Sequence, residues 1–214
     1  MPIKNAAKIV LLLCLCARGF AQEAQPAGLR IKNNYGGVLS VGARNVLSTF
    51  NDGQWGDVGT GVGGQFMLQF SNRINTAWFF DYITSGVGNY ANRTDYHIGW
   101  SVMYYLAPSD KMPKWQPYVL AGHCFDYSNI KDNTNDANFK ERWSSAVQAG
   151  FGTHYNLTSR LDASLQAQYM IHLGNDIDTE YENGKVSFIS KNGVNLEGHI
   201  LITLGVNFKL ADLW

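Results

Sequence analysis

Five histidines stand at positions 97, 123, 154, 172 and 199. Histidine is the side chain that titrates near neutral pH, binds metals and serves as a general base. His97, His172 and His199 fall at similar distances from the short-connection ends of their segments, so they could share one level. Three imidazoles at one height could hold zinc or another divalent ion, or change charge together. No local ligand spacing joins them, however, and a medium-sized polar filler among Gln and Ser neighbours is the plainer reading. No metal and no cofactor is therefore expected. Asp81 and Ser101, with His97 or His123, contain the ingredients of a hydrolytic triad, but no motif fixes their geometry. Arg44, Asp81, His97, His123, His172, Glu197 and His199 are read instead as a polar network, with Arg44 near Glu197 across the seam between first and last strands.

The elements that must position these residues follow a period of two. Strict alternation runs through 58–70, 96–106, 145–157, 161–173 and 200–210, with weaker runs at 36–47, 75–87 and 117–127. Such alternation puts one residue set on each face of a β-strand. One set carries most of the Leu, Ile, Val, Phe and Trp; the other is Gln, Ser, Gly, His, Asn and a few charges, with His123 placed among them. Eight strands result, each long enough for the ~9–11 residues of a tilted membrane-crossing strand. Residues 48–57, 88–94, 128–142 and 174–193 read as medium or long polar connections, and 71–74, 108–116 and 158–160 as shorter ones. That alternation of lengths belongs to an up-and-down meander elaborated at one end. The expected fold is an all-β, eight-stranded antiparallel up-and-down transmembrane β-barrel, with a polar lumen narrowed by Gly59, Gly61, Gly63, Gly150 and Gly152. Closure satisfies every backbone group without water, as a membrane-spanning sheet requires.

Composition agrees. The chain has 214 residues, 16% of them charged and 13% aromatic, with 22 glycines and no net charge. A zero balance offers no attraction to nucleic acid. Lys4 and Lys8, the apolar stretch 9–16 and Gly19-Phe20-Ala21 read as a signal peptide over residues 1–21. Residues 22–35 follow as an N-terminal periplasmic segment and 36–214 as the barrel. Removing the signal takes away three cations (Lys4, Lys8, Arg18) and no acid, so acids then exceed bases by three. It also leaves Cys124 as the sole cysteine, and one cysteine cannot close an internal disulfide.

The last strand, Thr203-Leu204-Gly205-Val206-Asn207-Phe208-Lys209-Leu210, is similar to the terminal assembly signal of small outer-membrane β-barrels. Trp214 adds a terminal aromatic, four residues beyond the alternating run. On these residues and the alternation of the whole region 29–214, the chain resembles the eight-stranded outer-membrane barrel proteins, the group that includes OmpX and the membrane domain of OmpA. The resemblance implies a bacterial outer-membrane location with termini in the periplasm. It also implies recognition of Thr203, Gly205, Phe208, Leu210 and Trp214 by the barrel-assembly machinery, escort by periplasmic chaperones, and contact with outer-membrane lipid and lipopolysaccharide as a monomer. That group shares no activity, so the expected role is structural or surface-binding, without catalysis.

Two alternatives stand beside it, a membrane-embedded lipid A or peptide hydrolase and a narrow channel. The segment His123–Asn129 resembles the His-x-Ser-Asn motif of lipid A deacylases, but three extra residues separate His from Ser and no catalytic role carries over. Asp132, Asp136, Asp176, Asp178, Glu180 and Glu182 could ligate calcium, yet they lack the Asp-x-Asp-x-Asp-Gly spacing of a calcium loop. Solvated outer loops are the expectation for both stretches.

Overall fold

The computed structural model describes residues 36–50, 58–107, 113–182, 185–195 and 198–214. The signal sequence expected over 1–21, the segment 22–35 and Glu197 lie outside the described residues.

Nine strands make up the described chain: β1 (Val38–Phe50), β2 (Val58–Gln69), β3 (Ile74–Val87), β4 (Ala91–Tyr105), β5 (Trp115–Asp132), β6 (Phe139–Asn156), β7 (Leu161–Glu182), β8 (Lys185–Asn195) and β9 (Gly198–Asp212). Consecutive strands pair antiparallel from β1 to β7, β7 pairs with β9, and β9 pairs back with β1. Eight strands thus close a barrel. The ninth, β8, pairs only with the upper part of β7.

The alternation orients the strands as the sequence predicts. Val62, Phe66, Ile98, Trp100, Phe151, Leu165 and Leu204 lie on the outer wall, exposed to what would be lipid. Gln148, Gln166, Gln168, Ser101, Asp81 and Asn207 point inward and are buried. Aromatic rings mark two levels on the wall. Tyr82, Tyr96, Tyr127 and Trp143 touch in sequence across β3 to β6, with ring centroids 5.2, 5.8 and 4.8 Å apart. At the short-turn end, Trp115 meets Tyr155 at 4.5 Å and Phe70 meets Trp214 at 6.4 Å. Such rows are the interfacial girdles of a membrane barrel.

Two expectations need correction. The connections 128–142 and 174–193 are mostly strand: β5 runs on to Asp132, β6 starts at Phe139, and β7 with β8 forms a hairpin. These extensions rise beyond the lipid, where both faces can be polar, so alternation fades although the ladder continues. The lumen, moreover, is not uniformly polar. Val46, Phe79, Ile83, Cys124, Ala146, Met170 and Leu201 form one buried apolar cluster, and Met67, Ala77, Met103, Tyr105, Tyr118 and Leu120 another.

Candidate functional site

The polar lumen residues are organised by the ladder itself. Arg44 on β1 pairs with Gly63, Gly63 with Asp81, Asp81 with His97, His97 with Asp126, and Asp126 with Ser144. This single rung therefore sets a cation, a gap, an anion, an imidazole and a second anion side by side. The gap is essential. A Cβ on Gly63 would collide with Asp81 Oδ1 and with the Phe80 carbonyl oxygen, so only glycine lets Arg44 reach across β2. Its Nε lies 3.0 Å from Asp81 Oδ1, its other nitrogens donate to Gln65 and Thr203 at 3.2 and 3.3 Å, and its guanidinium rests 4.6 Å over the Phe79 ring. Arg44 is thus partnered by Asp81; Glu197, expected beside it across the seam, lies outside the described residues.

Above this pair lies the histidine tier. The rings of His97, His172 and His199 are 4.9 to 6.3 Å apart, so the structure brings together the three residues that the sequence placed at one height. His97 Nε2 lies 3.2 Å and His172 Nδ1 3.1 Å from the Asp126 carboxylate, and Arg142 approaches it at 3.7 Å. His172 and His199 face each other through Nε2 at 3.3 Å, and His199 Nδ1 meets Ser48 Oγ at 3.1 Å. Arg93 pairs with Asp95 at 3.0 Å, and Ser128 donates to Asp95 at 2.6 Å. The carboxylates thus face guanidinium and imidazole groups, as buried charges must. Among the described residues no group of three His, Cys, Asp or Glu side chains is arranged to hold a metal.

A second tier closes the short-turn end, and the sequence reading missed it. His154 Nδ1 lies 3.0 Å from Asp162 Oδ1, Asn207 donates to the same oxygen at 2.7 Å, and Lys209 Nζ stands 3.8 Å from Oδ2. A cavity of about 10 Å³ beside them, bordered by Ser40 and Gln116 among others, is the size of one water. The signal for this tier was present as Asp162 and Lys209 on the polar face, but nothing local joins residues 154, 162 and 209.

His123 is the clear misplacement. It shares the parity of Val119 and Phe125 and faces outward, while Cys124 points into the barrel. The triad ingredients do not assemble either. Ser101 accepts from Gln148 at 2.8 Å, His97 faces Asp126, and His123 is on the opposite side of the wall. Of the acidic residues read as a calcium option, Asp136 pairs with Lys131 at 2.9 Å. Asp132 accepts from the Thr134 amide and hydroxyl, both at 2.8 Å, and from Asn138 at 3.0 Å. Those bonds, the Thr134 amide first, hold the Asp132 carboxyl below the usual range. The terminal-strand residues alternate as expected. Thr203 and Gly205 point inward, and Phe208 and Leu210 outward at partial exposure. Trp214, past the end of β9, packs on Phe70 and Gly37.

A closed antiparallel barrel with an apolar outer wall between two aromatic rows, and with charged tiers inside it, defines a transmembrane β-barrel of the outer-membrane type. The profile of the outer membrane protein beta-barrel domain family matches residues 9–210, and the chain belongs to that family. No curated protein matches. Among solved structures it is similar to the Neisserial surface protein A, at 16% identity and a TM-score of 0.57 over 80% of this chain and 97% of that one. It is similar to OprG of Pseudomonas aeruginosa, at 13% identity and a TM-score of 0.50 over 85% and 100% of the two chains. A major outer membrane protein of Thermus thermophilus matches with 11% identity and a TM-score of 0.50, over 80% and 99%. At such identities these likenesses show the fold.

Proposed function

We propose that this protein is a plugged, non-catalytic outer-membrane barrel that acts through its outer surface, as a structural element or a binding platform. The observation that carries the reading is the pair of charged tiers, one around Asp126 and one around Asp162, with apolar clusters filling the lumen beside them. An eight-stranded barrel is only wide enough to be filled by side chains. The outer end is built differently. Ala91, Ile130 and Ile177 form a buried cluster with Val87, Tyr90 and Phe188 against it, so the β7–β8 hairpin is tied to the tips of β3, β4 and β5. Tyr90 stacks on Tyr181 at 5.0 Å, and Asn138 donates to the Val186 carbonyl at 2.9 Å. A small core above the girdle gives a partner a firm surface.

In this reading the signal peptide is removed, periplasmic chaperones carry the chain, and the assembly machinery reads Thr203, Gly205, Phe208, Leu210 and Trp214. The monomer then sits in lipid and lipopolysaccharide with both termini in the periplasm. Trypsin treatment of intact cells tests the orientation. Cleavage at Lys185 in the hairpin, with the termini protected, is the expected result. Cleavage at the termini with an intact hairpin would reverse the orientation and remove the platform.

A further inference from the structure

On the lipid-facing wall His123 of β5 and Ser145 of β6 both point outward, with Nε2 and Oγ 2.6 Å apart. His123 is flanked in the ladder by Trp100 and Val147, which are 46% and 41% exposed on the same wall. The Phe125 ring stands edge-on to the imidazole at 5.0 Å. Ser145 is two residues inward of Trp143, a member of the outer aromatic row. The pair therefore sits just beneath the headgroup level marked by that row, where acyl linkages give way to hydrocarbon. An ionisable side chain at that depth calls for a partner.

Counting protons identifies the partner. A neutral imidazole carries one ring proton and the serine one hydroxyl proton. If Nε2–H donated to Ser145 Oγ, the hydroxyl proton and the bare Nδ1 would both be unsatisfied in lipid. If the Ser145 hydroxyl donates to Nε2, the ring proton resides on Nδ1 and only one group, that N–H donor, is left over. The second arrangement leaves fewer orphans, and in hydrocarbon each orphan is expensive. No protein acceptor meets Nδ1 among the described residues, and its apolar flanks exclude bulk water.

We propose that His123 and Ser145 form a lipid-binding site in which His123 Nδ1–H donates to an acyl carbonyl of an outer-leaflet lipid. A carbonyl only accepts, and so complements a lone donor. Ser145 acts by fixing the ring tautomer.

Nitrogen-15 NMR of histidine-labelled full-length protein tests this in nanodiscs of ester-linked phosphatidylcholine and of its ether-linked analogue, which has no carbonyls. His123→Phe identifies the His123 signal by removing it. In ester lipid the His123 signals should report the Nδ1–H tautomer, with its proton shifted downfield. In ether lipid that proton should move upfield and exchange faster, while the four lumen histidines stay unchanged. Adding purified lipid A to the ether nanodiscs separates the two sources. Recovery of the downfield signal assigns the carbonyl to lipid A, and its absence assigns it to phospholipid esters. Ser145→Ala should lose the tautomer preference in the folded barrel. Identical His123 spectra in ester and ether lipid, or an Nε2–H tautomer in wild type, would overturn the proposal.

Discussion

The outer and inner tiers of the lumen use the same ingredients, a carboxylate facing histidine and a cation, yet they differ in what stands behind them. Asp126 is enclosed by His97, His172 and Arg142, with an apolar layer below and the hairpin-tied cluster above. Asp162 meets His154, Asn207 and Lys209 beside a water-sized cavity at the short-turn end. The same ion pair is worth more to the fold where no water can replace a lost partner. In the plugged barrel proposed above, the difference separates a closed layer from a floor that can relax.

The largest expected effect breaks the sealed side. Asp126→Ala strands two imidazoles and a guanidinium and should cost ~3–5 kcal/mol, read as a lower urea midpoint for the loss of heat-modifiable migration. Gly63→Ala comes next. Its methyl would meet the Asp81 carboxylate and the Phe80 carbonyl, push Asp81 from Arg44 and cost ~1–3 kcal/mol by overpacking. Asp162→Ala should cost less than Asp126→Ala, about 1–3 kcal/mol, because the long Lys209 stem can turn its ammonium toward water at the short-turn end. Equal losses at the two carboxylates would erase the comparison. The smallest effect lies above the girdle, at Asp132. Its folded pKa is depressed, so its contribution is present above the ordinary carboxylate value and is lost as pH falls through the lower folded one. The protection of the Thr134 amide against exchange, relative to its intrinsic rate at each pH, should therefore fall in acid below about pH 4, with the barrel amides unchanged.

Much of this was legible in the residues, for a physical reason. A membrane wall demands apolar side chains at every second position, so runs such as 96–106 and 200–210 declared both strand and face. The shared height of His97, His172 and His199 could likewise be read by counting from the short turns. Register between strands could not. The Arg44–Asp81 pair depends on Gly63 lying between them on one rung, a relation no local spacing encodes. His123 was misread because β5 carries Gln116 and Pro117 among its first residues and alternates weakly, so Cys124 and His123 could exchange faces until the ladder fixed them. The outer hairpin escaped because only a few of its side chains, Ile177, Val186 and Phe188 among them, turn to the small outer core, too few for a hydrophobic period to stand out.

The central claim is that the lumen is closed, and planar-bilayer recording of the purified, refolded protein tests it most directly. Wild type should show no steady ionic current, while the Asp126→Ala/Asp162→Ala double variant, if it folds, should flicker open. A stable, ion-selective conductance in wild type would contradict the account and make the barrel a channel.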